Sequence, residues 1–145
     1  MVPKAGRFCL LICMLPSMLV AETPQAKSRL IVMADMGNEP DEVQQMAHLL
    51  MYANRIDLEG LIACSGKYLH ADRTDGRTET RPELFHNLVD AYAEVVENLK
   101  RHEDGWPEAT YLRSIIRSGS AGYGIDDVEA GRSNEASKQI EAALL

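Results

Sequence analysis

The spacing of hydrophobic residues changes several times along the chain, and each change predicts a new element. The run 29–34 is apolar without alternation, which is typical of a strand covered on both faces, as in a parallel sheet. Pro40 suits a first helical position, and apolar residues then recur at helical spacing as far as Ala53. A second apolar run covers 58–64. The order strand, helix, strand predicts a parallel pair joined by a right-handed crossover.

The middle of the chain predicts a long loop followed by a long helix. The stretch 65–81 is polar and glycine-bearing, without periodicity, and a loop of this length in a compact domain is usually functional. The helix begins at Pro82, and its buried stripe is expected from apolar residues at helical spacing. These residues are Leu84, Leu88, Ala91, Tyr92, Val95 and Leu99.

Two shorter helices are expected at the end of the chain. The first covers 109–117, and its inward residues are expected to be Leu112, Ile115 and Ile116. A glycine-rich loop over 119–131 leads to Asn134, which is a favourable cap for a last helix running to Leu145. Two strands are too few for a stable α/β core, so we expect the sequence to be part of a longer domain.

Residues 1–21 have the organisation of a secretory signal peptide. A basic segment precedes an apolar run at 8–15, and Ala21 is a small residue before an expected cleavage site. The apolar run is shorter than the roughly 20 residues that span a bilayer. We therefore expect a secreted or periplasmic protein without a stable membrane anchor, with a linker at 22–28 and one partial domain at 29–145.

Charge and cysteine content exclude two classes of protein. The net charge is −7 and the sequence pI is about 5.1, which argues against nucleic-acid binding because that function needs a basic surface. Signal cleavage would leave Cys64 as the one cysteine, so no internal disulfide framework is expected. Its apolar neighbours favour a buried hydrophobe over a nucleophile.

The segment 35–42 is the part of the sequence most suggestive of chemistry. It holds four carboxylates, those of Asp35, Glu39, Asp41 and Glu42, directly after the first strand. Ligands of open α/β sheets bind at the carboxyl ends of the strands, and crowded carboxylates favour a hard cation such as Ca²⁺. Helix capping explains the acidic first turn equally well but leaves Asp35 unexplained. The spacing alone leaves both interpretations open.

The run 30–42 resembles the opening of the nucleoside-hydrolase-like proteins often labelled cellulose-binding. Further pieces of that pattern follow in order, namely Leu58-Glu59-Gly60-Leu61-Ile62-Ala63, Asp90-Ala91-Tyr92, Asn98-Leu99, His102, Trp106-Pro107, Leu112-Arg113-Ser114 and Gly122-Tyr123-Gly124. The resemblance covers about 29–137. It implies an α/β fold with a Rossmann-like, open and mostly parallel sheet and flanking helices. Because the family's remaining calcium ligands come later than Leu145, it also implies that only the N-terminal half is present.

The same resemblance implies roles for the acidic segment. Asp35, Asp41 and Glu42 would bind calcium, which in nucleoside hydrolases holds the ribose hydroxyls and the attacking water, and Asp41 would also be the general base. The expected substrate contacts are Asn38 and Glu39 in this segment and, independently of the resemblance, Ser65, because its loop follows the second strand and should reach the same edge as Asp35. Lys67 and Tyr68 of that loop are further candidates for sugar contacts, and a solvated loop is the alternative. The pattern departs from the enzymes where Met33 replaces their first Asp and where two extra residues, including Pro40, lengthen the turn.

Three functions remain open on the sequence. The first is a calcium-dependent hydrolase of N-ribosyl or related glycosyl bonds. The second is a secreted protein that binds carbohydrate, such as cellulose, without catalysis, and the third is a truncated, inactive fragment. A small-molecule nucleoside or carbohydrate is the expected partner in the first two cases. Assembly into a homo-oligomer is compatible with the sequence, which does not determine it.

Overall fold

A computed structural model describes residues 26–71, 74, 78–125 and 131–145. The predicted signal peptide at 1–21 and the first part of the predicted linker lie outside the described residues. The elements run in the order β1 (Ser28–Ala34), α1 (Pro40–Leu50), β2 (Ile56–Ala63), α2 (Pro82–Lys100), α3 (Ala109–Ser114), β3 (Ile116–Ser118) and α4 (Glu135–Leu144). None of the helices in the described part of the chain is long and apolar enough to cross a bilayer.

The three strands form one parallel sheet in the order β1-β2-β3. β1 runs alongside β2 from Ser28 opposite Ile56 to Ala34 opposite Ala63, with an irregularity between Leu30 and Ile31. The predicted strand–helix–strand unit and the parallel α/β class are therefore confirmed. All three strands point the same way, so their carboxyl ends share one edge of the sheet.

The third strand corrects the helix predicted for 109–117. α3 ends at Ser114, and Ile116 pairs with Leu61 of β2 in a parallel ladder. Ile115 and Ile116 are buried, as expected, but they lie at the helix end and in a strand. The periodicity was ambiguous here because a pair of adjacent apolar residues fits a short buried strand as well as a helix.

The most deeply buried stripe of α2 is offset from the predicted one, although Leu84, Leu88 and Leu99 also pack against the core. Its buried residues are Phe85, Val89, Tyr92 and Val96, of which only Tyr92 was expected. Leu88, Ala91 and Val95 lie on the side toward α1, where coverage is partial and Val95 remains 42% exposed. The sequence could not distinguish these two sides, since both carry apolar residues at helical spacing.

The last helix packs on the other face of the sheet. Its Gln139 side chain donates a hydrogen bond to the Glu59 carbonyl at 2.7 Å, and Ile62 of β2 lies near Ala136 and Ile140. Asn134 caps the helix as predicted, because its Oδ1 accepts a hydrogen bond from the Ser137 N–H at 3.0 Å. This face is less completely covered than the α2 face, and Met33 of β1 is 60% exposed on the same side.

Candidate functional site at the carboxyl edge of the sheet

The three strand ends deliver polar residues to one edge, which we call the carboxyl edge. The Cys64 N–H donates to the Ala34 carbonyl at 3.0 Å, and the Gly119 N–H donates to the Ala63 carbonyl at 2.7 Å. These bonds hold the strand ends in step. The residues that directly follow the strands, Asp35, Cys64 with Ser65, and Gly119 with Ser120, therefore lie next to one another.

Asp35 lies directly against the loop that follows β2. A Cβ atom built on Gly66 would lie 1.9 Å from Asp35 Oδ2. This distance is too short for two non-bonded atoms, so any side chain at position 66 would clash with Asp35. Glycine is needed here because of this close approach to the carboxylate. The Asp35 side chain is half-buried, so it is held at the edge rather than extended into solvent.

The acidic turn between β1 and α1 is built around a buried methionine and a glycine. Met36 is fully buried, Gly37 adopts a φ of +87°, which favours glycine, and the Asn38 N–H donates to the Asp35 carbonyl at 3.0 Å. Glu39 then caps α1, and its N–H donates to Glu42 Oε2 at 2.8 Å. The capping interpretation therefore accounts for Glu42, whose carboxylate satisfies a backbone donor at the helix start.

The described residues bring three of the four carboxylates together. One oxygen each from Glu39, Asp41 and Glu42 lies within 4.8 Å of the others. Ca²⁺ binds oxygen at 2.3–2.6 Å, so two ligands of one ion lie at most about 5 Å apart. This acidic trio fits a shared calcium ion, with further ligands from water or substrate. Asp35, expected in the same ligand set, is not part of the trio.

Cys64 lies at the carboxyl edge. The sequence predicted that it is buried, but its side chain is only half-buried. Burial raises the pKa of its thiol, and the negative charge of Asp35 raises it further. A raised thiol pKa disfavours the reactive thiolate at neutral pH.

A cleft of about 600 Å³ opens at the carboxyl edge, between the sheet and α4. Its lining combines apolar and polar residues, including Met33, Ile62, Ser65, Ser120, Ala136 and Ile140. The Ser65 hydroxyl donates to the Gly122 carbonyl, which joins the loop after β2 to the loop after β3. Ser65, an expected substrate contact, therefore lies on the cleft wall. Asn38 and Glu39, the other two expected contacts, lie in the acidic turn.

The loop after β3 is a part of the site that the sequence did not indicate. It contributes Ser120, Gly122 and Gly124 to the cleft, whereas the sequence placed these residues after a helix. Recognition of 116–118 as a strand would have predicted their position, because residues following a parallel strand reach the ligand-binding edge.

Comparisons with known proteins agree with this architecture. Residues 29–145 match a family described as cellulose-binding Sde182, nucleoside hydrolase-like domain. A solved structure of a nucleoside hydrolase-related hypothetical protein from Saccharophagus degradans, associated with carbohydrate metabolism, superposes with a TM-score of 0.71 at 33% identity. The match covers 82% of this chain and 27% of that one, so this chain spans about a quarter of that protein's length. No protein of curated function matches the chain.

Proposed function

Because the chain belongs to the cellulose-binding Sde182, nucleoside hydrolase-like domain family, we propose that its carboxyl edge binds the sugar of a carbohydrate or nucleoside. The observation that carries this proposal is the convergence of Asp35, Ser65 and Ser120 at the ends of the three parallel strands, where Ser65 and Ser120 line the cleft. Ligand sites combine an apolar surface with a few placed polar groups. The cleft has this composition, and the carbohydrate association of the similar solved protein supports a sugar ligand.

The acidic trio is the proposed calcium site. When bound, calcium would neutralise the three carboxylates and hold hydroxyl oxygens of the ligand. Glu39 and Asp41 are exposed and available to it, and Glu42 is partly engaged by its hydrogen bond from the Glu39 N–H. Because Asp35 lies apart from the trio, we assign its carboxylate to a direct hydrogen bond with a sugar hydroxyl.

Hydrolysis of a glycosyl bond is the first candidate activity. The oxygen of a water molecule bonds to the anomeric carbon, and one proton of that water passes to the Asp41 carboxylate. The bond from the anomeric carbon to the leaving group breaks, and the leaving group departs with the electron pair and takes up a proton from solvent. Asp41 suits the role of base because its side chain is exposed in the first turn of α1, beside the edge. A positioned base typically contributes 10²–10⁴-fold in rate.

Binding without turnover is the second candidate, and three observations favour it. Met33, at the position where the similar enzymes carry an Asp, is an exposed apolar residue on the cleft wall. Asp35 does not join the acidic trio. The Glu42 carboxylate is already used in capping α1. Each of these differences removes a carboxylate from a shared catalytic centre.

Sugar release by the intact protein separates the two candidates. Nucleosides and cello-oligosaccharides are incubated with calcium or with a chelator, and free reducing sugar is measured. Hydrolysis predicts calcium-dependent release that falls about 100-fold or more in Asp41→Asn. Asp57→Asn, an exposed aspartate at the start of β2, is the matched control and should release sugar like the wild type.

Retention of the wild type on polysaccharide without any release supports the second candidate. If the wild type shows neither sugar release nor retention on polysaccharide, the proposed sugar site is overturned. Calorimetric titration with CaCl₂ tests the acidic trio separately. If the intact protein binds no calcium, the acidic trio is not a calcium site.

A further inference from the structure

Four side chains on the loops after β2 and β3 form a cluster beside the cleft. The rings of His70 and Tyr123 stack with their centroids 5.6 Å apart at an interplanar angle of 28°. Lys67 Nζ lies 5.0 Å from the centroid of the Tyr68 ring and donates a hydrogen bond to the Tyr68 hydroxyl. Tyr123 lies between Gly122 and Gly124, which both line the cleft. We call these four residues the aromatic cluster.

The two loops that carry the aromatic cluster are fastened to each other. The Ser65 hydroxyl donates to the Gly122 carbonyl, and the Ala71 N–H donates to the Ala121 carbonyl at 2.8 Å. The first loop is closed on itself by two backbone hydrogen bonds between Gly66 and Leu69, and Leu69 is buried. These hydrogen bonds hold the two loops, and with them the aromatic cluster, in place at the carboxyl edge.

Both tyrosines of the cluster expose a large part of their side chains. Tyr123 is 54% exposed although it stacks on His70, and Tyr68 is 41% exposed beside Lys67. An aromatic ring offers a flat apolar surface together with a polar hydroxyl at its rim. This combination matches the face of a pyranose, which has C–H groups on its faces and hydroxyls around its edge.

We propose that Tyr68 and Tyr123 form a stacking platform for the pyranose rings of an extended glucan chain. This inference rests on the proposed sugar site and narrows its ligand. A small nucleoside would be held mainly inside a pocket that buries most of its surface. Neither tyrosine is among the residues that line the cleft, although Ser65 and Gly122 of the same loops are. At this position the tyrosines would contact sugar units of a chain that continues beyond the cleft.

Retention of the intact protein on cellulose, together with calorimetric titration with cellohexaose, tests the platform. Tyr68→Ala and Tyr123→Ala should each weaken cellohexaose binding about three- to tenfold, the usual size of an aromatic contact. Tyr68→Phe and Tyr123→Phe keep the ring and should retain most of the affinity. Tyr52→Ala is the matched control, since Tyr52 is 64% exposed and lies before β2, at the opposite edge of the sheet.

The outcomes separate the platform from the sugar site itself. Wild-type protein that binds cellohexaose, with both alanine variants binding equally well, would overturn the platform and leave the sugar site standing. Wild-type protein that binds free nucleosides but neither cellohexaose nor cellulose would also overturn it. Failure of the wild type to bind any glycan or nucleoside would remove both proposals. Matching melting temperatures of the variants ensure that a lost contact, and not unfolding, is being measured.

Discussion

The α2 face of the sheet and the carboxyl edge differ in how deeply their side chains are buried and in how polar they are. On the α2 face, Phe85, Val89 and Leu112 are at most 1% exposed and pack around Leu61 of β2. At the carboxyl edge, Asp35, Cys64 and Ser65 are only half-buried, and the acidic trio is largely exposed. Dense apolar packing stabilises a fold, whereas partly solvated polar groups remain available to a ligand. We therefore expect substitutions on the α2 face to lower mainly the stability, and substitutions at the carboxyl edge to weaken mainly ligand binding.

The largest stability effect is expected in the core of the α2 face. Phe85→Ala removes a ring that is 1% exposed and should lower the free energy of unfolding by about 3–5 kcal/mol, because truncation loses transfer energy and leaves a cavity. Urea denaturation of the intact protein measures this change. His86→Ala alters the adjacent exposed residue of α2 and should stay within about 0.5 kcal/mol of wild type. A loss below about 1 kcal/mol for Phe85→Ala would contradict the packing described.

A smaller effect, felt in both stability and binding, is expected where Asp35 meets the β2 loop. The added Cβ in Gly66→Ala would overlap Asp35 Oδ2, so the carboxylate must move, at a cost of about 1–3 kcal/mol. We expect a lower melting temperature together with weaker glycan binding. The double variant Gly66→Ala, Asp35→Gly should recover part of the stability but not the binding. Unchanged binding in Gly66→Ala would show that Asp35 takes no part in the site.

The smallest expected effect concerns an ion pair between β1 and β2. Arg29 donates to Glu59 Oε2 at 2.7 Å, and this hydrogen bond lowers the pKa of the Glu59 carboxyl despite opposition from partial desolvation. A lowered carboxyl pKa stabilises the fold above the unfolded-state value, about 4.3, and this contribution is lost as the pH falls through the folded-state pKa. Arg29→Gln should thus lower the melting temperature slightly at pH 7 and by less at pH 3, where the remaining difference reflects the hydrogen bond from Arg29 to the Ala143 carbonyl. An equal difference at both values would exclude the pair as its cause.

The elements with strong local signals were predicted well from the sequence. Pro40 and Pro82 begin α1 and α2, Asn134 caps α4, and the two predicted strands are β1 and β2. These features depend on neighbours in the sequence, through dihedral preference, capping and periodicity. They also placed Asp35 correctly at a strand end. The expectation that β1 is covered on both faces was wrong, since Met33 is 60% exposed.

The features that were missed depend on tertiary contacts. Ile116 becomes a strand residue because it pairs with the edge of β2. In α2, Phe85 is fully buried, whereas the neighbouring Leu84 is only partly buried against the core. The separation of Asp35 from the acidic trio likewise follows from the turn at Gly37 and the contact with Gly66. The spacing of residues along the chain does not show which residues from distant segments come into contact in the fold.

Hydrogen–deuterium exchange of the intact protein with and without cellohexaose tests the sugar site at the carboxyl edge most directly. We expect binding to slow exchange in the loops 64–71 and 119–125, whose backbone groups surround the cleft and the aromatic cluster. The turns at 51–55 and 101–108, at the opposite edge, should exchange at the same rate in both states. Protection confined to that opposite edge, or none in the two loops while the glycan is bound, would contradict the assignment of the site.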